Sequence, residues 1–76
     1  MALVLNELPP FERHKVILKK WDALPHGENL RVHCDHDPRP LHFLFEAEYK
    51  GLYKWEFEQE GPPEWIVNIR KIKPLQ

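Results

Sequence analysis

The stretch that decides the fold runs from residue 30 to residue 45 and reads LRVHCDHDPRPLHFLF. Apolar and polar residues alternate over positions 30–34, which predicts a strand with one buried face. Pro40 suits the first turn of a helix, because the N–H that proline lacks has no partner there. Apolar side chains follow at helical spacing, namely Leu41, Leu44 and Phe45. We therefore predict a strand, Leu30 to Cys34, that turns directly into a helix.

The residues before this stretch have the same order. Ala2 to Asn6 is an apolar run typical of a covered strand, and Leu8-Pro9-Pro10 ends it. A single apolar stripe then predicts a helix from Phe11 to Leu24, with Pro10 in its first turn. The stripe consists of Phe11, Ile17, Leu18, Trp21 and Leu24. Pro25, His26 and Gly27 end this helix.

Two further strands follow the second helix, which Gly51 is placed to terminate. Tyr53, Trp55 and Phe57 alternate with charged residues and predict a strand buried on one face. A turn at residues 60–64 leads to a return strand from Trp65 to Ile72. The order is βαβαββ, and right-handed crossovers put both helices on one face of the sheet. We predict an α/β fold, more closely an α+β two-layer sandwich with a four-stranded mixed sheet.

Composition limits the class of protein. The 76 residues form one domain, 1–76, with 42% hydrophobic residues and a formal net charge of -1. The single cysteine fits a reducing compartment, and the first seven residues do not have the pattern of a signal peptide, so we expect a cytoplasmic protein. The charge balance disfavours nucleic acid and membranes as partners. Ile66 and Ile72 on the otherwise polar sheet face leave a monomer or a weak dimer as the expected state.

Chemistry-bearing side chains meet at one edge of this sheet. Parallel strands that turn into helices present those turns, and both helix N-termini, at their carboxyl edge. We expect Glu7, Glu12, Cys34 and Asp35 near this edge. The candidate ligand-binding residues are Arg13, His14, His36, Asp37 and Arg39. Their convergence without a recognisable nucleophile favours a binding module over an enzyme, and no catalytic residue is assigned.

Each candidate also has a structural interpretation. His14 lies within the apolar stripe and is interpretable as a hydrogen-bonded core histidine. Asp37 precedes two prolines and is a natural cap for the second helix. Arg39 most simply pairs with Asp35 or Asp37, and His36 is interpretable as an exposed loop histidine. Cys34, in register with two apolar residues, is interpretable as an inert buried thiol.

A metal site and a reactive thiol remain alternatives. His14 and His36, with a carboxylate, are of the residue types that bind transition metals, so such a metal is a candidate cofactor. The run from His33 to His36 does not predict a structural zinc, because strand alternation turns His33 away from Cys34. Cys34 could serve sulfur transfer or redox chemistry only if its thiol were exposed and its pKa lowered.

Several segments resemble DUF2249, a family of uncharacterised bacterial and archaeal domains. They are Glu7-Leu8-Pro9-Pro10, Glu12-Arg13-His14, Asp35-His36-Asp37-Pro38-Arg39-Pro40-Leu41, Tyr53-Lys54-Trp55-Glu56, and Glu60-Gly61-Pro62 through Trp65 to Ile69. Such domains are similar to the TusA/SirA sulfur-carrier superfamily, which implies a two-layer fold with strand order 1-2-4-3. The resemblance also implies hemerythrin-like iron proteins, and a redox setting, as candidate partners.

The chain departs from that superfamily at the residue that carries sulfur. Sulfur carriers of the TusA type have a Cys-Pro-x-Pro motif at the start of the first helix, whereas this chain reads Leu8-Pro9-Pro10-Phe11. Asp37-Pro38 resembles the superfamily's Asp-Pro after the second strand. The sequence therefore predicts an accessory module that binds a small anion, a metal or a protein. The alternative is a divergent sulfur-transfer or redox protein that uses Cys34.

Overall fold

The computed structural model describes residues 2–4 and 10–72, with side chains from residue 12 onward. Six elements follow one another in this part of the chain. The helices are α1 (Pro10–Ala23) and α2 (Arg39–Glu48), and the strands are β1 (Ala2–Val4), β2 (Asn29–Cys34), β3 (Tyr53–Gln59) and β4 (Trp65–Lys71). Neither helix has the length and apolar character needed to cross a membrane.

β4 organises the sheet, because it pairs antiparallel with β2 on one side and with β3 on the other. The short strand β1 runs parallel to β2, so the described order is β1-β2-β4-β3. Two helices against a sheet with three antiparallel strands confirm the predicted α+β class. The predicted end of the first strand, at Asn6, lies outside the described residues.

The core fills the space between one sheet face and the two helices. Apolar residues of β2 alternate into it, and Ile17 and Trp21 of α1 meet Leu41 and Phe45 of α2 above them. Since both helices share one cluster with the same strand residues, they lie on the same face of the sheet. Leu18, predicted for the apolar stripe of α1, is only half-buried.

The structure corrects three predictions about burial and helix ends. Phe57, expected on the buried face of β3, is 38% exposed. The core covers β3 at Tyr53, and the strand extends beyond this covered part before it reaches Phe57. Ile66 is buried, so it is not an exposed apolar contact for a second molecule. The second helix does not end at Gly51 but at Glu48, with Tyr49 as its C-cap. Gly51, at φ 81°, instead forms the turn into β3, where the left-handed conformation favours glycine.

The opposite sheet face is polar. Arg31 of β2 donates to both carboxylate oxygens of Glu58, at 3.0 and 2.7 Å, and Asn68 donates to the same carboxylate at 3.2 Å. Asn29 donates to Asn68 at 2.6 Å. These bonds join β2, β4 and β3 across the face that the helices leave open.

Candidate functional site

A cleft opens between α1 and α2 at the carboxyl end of β2. It encloses about 130 Å³. Four of the five candidate ligand-binding residues line it, namely Arg13, His14, His36 and Asp37. Ile17, Cys34, Pro38, Pro40 and Leu41 complete its walls. We call this the α1–α2 cleft.

The first turns of α1 place Arg13 and His14 at the cleft. Arg13 is half-buried and His14 is exposed, while Ile17, one turn further along, is fully buried. The interpretation of His14 as a core histidine is therefore wrong, because its side chain lies on the rim of the apolar stripe and not under the helix. Glu12 is exposed and does not line the cleft, and Glu7 lies outside the described residues.

The loop from β2 to α2 supplies the second group of side chains. His36 Nδ1 lies 3.0 Å from Asp35 Oδ1, and both side chains are exposed. This hydrogen bond is the main cause that lowers the pKa of the Asp35 carboxyl. Asp35 is therefore ionised near neutral pH and holds the His36 ring beside the cleft.

Asp37 is held by the start of α2. Its Oδ1 accepts the backbone N–H of Arg39 at 3.0 Å, and its Oδ2 lies 3.2 Å from Arg39 Nε. The N-cap residue of α2 is Pro38, which has no side-chain capping bond. Asp37 was expected to be the cap; it is not the N-cap residue, but its side chain does accept the N–H of Arg39, the first residue of the helix. Arg39 pairs with Asp37 as expected, but its side chain is 78% exposed and does not line the cleft.

Cys34 forms part of the cleft wall but offers no accessible thiol. Its exposure is 0%. Burial is the largest cause that raises the pKa of this thiol, and the nearby Asp35 and Asp37 raise it further. The backbone N–H of His36 and the charge of Arg13 act in the opposite direction but do not prevail. The thiol is therefore protonated near neutral pH, which is the state of a structural cysteine.

The described side chains contain no three-residue cluster of metal-ligand types at this edge. Among the side chains from residue 12 to residue 72, no three of the types His, Cys, Asp and Glu come together as a metal would require. His33 lies on the open sheet face, where its Nε2 is 3.0 Å from Glu64 Oε2 without hydrogen-bond geometry. His14 and His36 share the cleft, and they are the two histidines among its lining residues.

The apolar walls of the cleft were missed as part of the site. Ile17 and Leu41 were predicted only as core residues, although each stands four residues after a charged residue of the site, Ile17 after Arg13 and Leu41 after Asp37. That spacing is itself the signal, since a residue about one helical turn after a side chain at the mouth of a cleft lies beneath that side chain. The cleft is thus polar at its mouth and apolar at its base.

Comparison with known proteins gives one match. A family model described as an uncharacterized conserved protein, DUF2249, matches residues 5–71. The matched segment includes every residue that lines the cleft. Neither the curated proteins nor the solved structures contain a match.

Proposed function

The chain belongs to the DUF2249 family of uncharacterized conserved proteins, and we propose that it is a non-enzymatic accessory module that holds a small anion in the α1–α2 cleft. The observation that carries the proposal is the meeting of Arg13, His14 and His36 at one cleft. Guanidinium and imidazole groups donate to carboxylate, sulfate or phosphate oxygens, and a charged donor strengthens such bonds.

The neighbouring carboxylates do not oppose this proposal strongly. Asp35 is engaged by His36, and Asp37 is engaged by the side chain and the backbone N–H of Arg39. Each acid therefore has a cationic or hydrogen-bonding neighbour that offsets its charge. The start of α2 adds a partial positive charge at the same place.

The size of the cleft favours a small ligand. Its volume of about 130 Å³ is well below the roughly 300–1,000 Å³ of sites that enclose drug-sized molecules. A simple oxyanion, or the acidic end group of a partner, matches this space. A domain that holds such a group without a nucleophile serves as an accessory to another protein. Hemerythrin-like iron proteins are the predicted class of partner.

The relationship to the TusA/SirA superfamily is part of the proposal. The βαβαββ order and the sheet order β1-β2-β4-β3 support it. A sulfur-transfer role for Cys34 is less well supported, because the thiol has 0% exposure and a raised pKa. That role would require iodoacetamide to modify the thiol in the folded protein.

The proposal is tested by NMR titration of the protein with inorganic phosphate, sulfate and acetate. We expect saturable shifts of the His14 and His36 ring signals, together with the amides of residues 36–41. Replacing both histidines with alanine should weaken binding at least about tenfold, since each charge-assisted bond contributes roughly 1.5–3 kcal/mol.

His26→Ala is the matched control, because His26 is exposed in the turn that follows α1 and does not line the cleft. Shifts that do not saturate, or that persist in the double variant, would contradict the proposal. A parallel titration with Zn(II), Fe(II) and Cu(II) covers the metal alternative. Stoichiometric binding that moves both ring signals, with no response to anions, would make this a metal site.

A further inference from the structure

β3 forms an edge of the described sheet. One side of this seven-residue strand pairs with β4, and no strand among the described residues pairs with its other side. An unpaired edge presents backbone N–H and C=O groups to any strand that can align with it.

Two charges on this edge strand, those of Lys54 and Glu56, have no ion-pair partner among the described residues. Lys54 stands directly opposite another cation, Arg70, on β4. Glu56 stands opposite the neutral Asn68. Neither Lys54 nor Glu56 forms an ion pair with any described residue, in contrast to Glu58 two positions further on. Like charges directly opposite each other destabilise a sheet, so the Lys54 ammonium favours an additional carboxylate beside it.

The other face of the same strand carries aromatic surface. The Trp55 ring stacks on His42 of α2, with ring centroids 4.3 Å apart and planes 5° apart. Phe57 packs against the edge of Trp55 at 6.2 Å and remains 38% exposed. The strand thus offers an aromatic row on its helix side and alternating charge on its open side.

We propose that β3 pairs antiparallel with β3 of a second copy of this chain, about a two-fold axis at Trp55. In this register Lys54 of each copy lies opposite Glu56 of the other, and Tyr53 lies opposite Phe57. Both cross-strand charge pairs are then complementary, and the aromatic residues face one another. The two sheets become one continuous sheet, with an isologous contact as a two-fold axis requires.

Neighbouring registers are less favourable for the same strand. An axis at Glu56 places two Glu56 carboxylates opposite each other and directs Lys54 to Glu58, whose oxygens already accept from Arg31 and Asn68. An axis at Lys54 places two ammonium groups opposite each other. The irregular register between Phe57 and Gln59 limits regular pairing beyond this point. Charge therefore selects Trp55 as the centre.

The test is a charge exchange measured by sedimentation equilibrium over a wide range of protein concentration. Lys54→Glu and Glu56→Lys each turn both attractive pairs of the dimer into repulsive ones, and each should raise the dimer dissociation constant at least about tenfold. The double variant, with both residues exchanged, restores both pairs and should return to within about threefold of the original protein.

Lys50→Glu and Glu48→Lys are the controls, because they make the same charge changes at exposed positions outside β3. Circular dichroism and urea unfolding show whether each variant is folded. A protein that stays monomeric at every concentration would overturn the proposal. It would do so even if the edge of β3 pairs with a strand of a different protein. A dimer that is unaffected by the single exchanges, or that the double exchange fails to restore, would overturn it as well.

Discussion

At the scale of single residues, the function of a titratable side chain here follows from its neighbours more than from its type. Cys34 and Asp35 are adjacent in the chain, yet burial raises the pKa of the thiol while a hydrogen bond from His36 lowers the pKa of the carboxyl. The sequence placed both residues at one edge of the sheet. The sequence did not show that His36 and Asp35 would be exposed to solvent while Cys34 is buried, because the exposure of these residues depends on which face of the sheet α1 covers.

Glu58 provides a test of this principle on the open sheet face. Its hydrogen bonds with Arg31 and then Asn68 lower the pKa of its carboxyl from 4.5 to about 2. Since the folded pKa lies below the unfolded one, the stabilisation is complete above the unfolded pKa of 4.5 and is lost as the pH falls towards 2. We expect carboxyl NMR to show Glu58 titrating near pH 2, and Arg31→Gln to move that titration towards pH 4.5.

Glu56 serves as the internal control, because the described structure gives it no ion pair. Urea unfolding near neutral pH and near pH 2 should show a smaller loss of stability in Glu58→Gln than in the original protein. A Glu58 signal that titrates with the ordinary pKa of a glutamate would contradict the predicted contact with Arg31.

At the scale of helices and strands, local pattern was sufficient to locate most elements. Proline at the start of α2 and alternation in β3 are short-range signals, and they predicted the start of α2 and the bounds of β3 to within about one or two residues. The end of α2, expected at Gly51, lies three residues earlier, at Glu48. The turn between Gln59 and Trp65 was also predicted. Contacts between distant elements were not predictable, since periodicity gives the buried face of an element but not its neighbour.

Lys71 is an example of such a distant contact. It lies on β4, but its Nζ donates to the carbonyl oxygen of Trp21, near the end of α1, at 2.9 Å. The same ammonium group lies 5.5 Å from the centre of the Trp21 ring. It therefore satisfies a terminal helix carbonyl and interacts favourably with the negative end of the helix dipole.

We expect Lys71→Met to lower the free energy of unfolding by about 1 kcal/mol, through loss of this bond and its charge. Methionine retains the apolar part of the side chain, so the measurement isolates the ammonium group. Lys19→Met, on the exposed side of α1, is the control and should change stability by less than about 0.5 kcal/mol. Equal urea midpoints for the two variants would show that Lys71 does not stabilise the end of α1.

At the scale of the whole molecule, one aromatic cluster joins every layer. Phe45 is completely buried at its centre. Its ring contacts α1 through Trp21 at 5.0 Å and β3 through Tyr53 at 5.4 Å. A chain of 76 residues has a total free energy of unfolding of only about 4–11 kcal/mol. The packing of one fully buried aromatic ring is therefore a large share of the stability of this protein.

The α1–α2 cleft rests on the hydrophobic core that contains this aromatic cluster. Leu41 lies in both, since it forms part of the core and part of the cleft wall. The spacing of the two helix starts, and hence the distance between His14 and His36, is therefore fixed by packing beneath the cleft. This explains why Arg13, His14, His36 and Asp37 could be predicted from the sequence to lie at one edge, whereas the apolar base and the shape of the cleft could not.

Phe43 and Phe45 allow a matched test, because they lie two positions apart on α2 and differ mainly in burial. Phe43 is 70% exposed and Phe45 is 0% exposed. We expect Phe45→Ala to lower the free energy of unfolding by about 3–5 kcal/mol, enough to unfold a large fraction of the protein at physiological temperature. Phe43→Ala should change it by less than about 0.5 kcal/mol, because it creates no cavity.

Phe45→Leu keeps the measurement informative if the alanine variant does not fold. It retains most of the buried volume and should cost roughly 1–2 kcal/mol in a thermal or urea unfolding experiment. Its anion affinity should fall as well, because a looser contact between α1 and α2 no longer fixes the residues on the two sides of the cleft. Destabilisation by Phe45→Leu without any change in anion affinity would mean that the cleft is organised by the β2–α2 loop alone and not by the core.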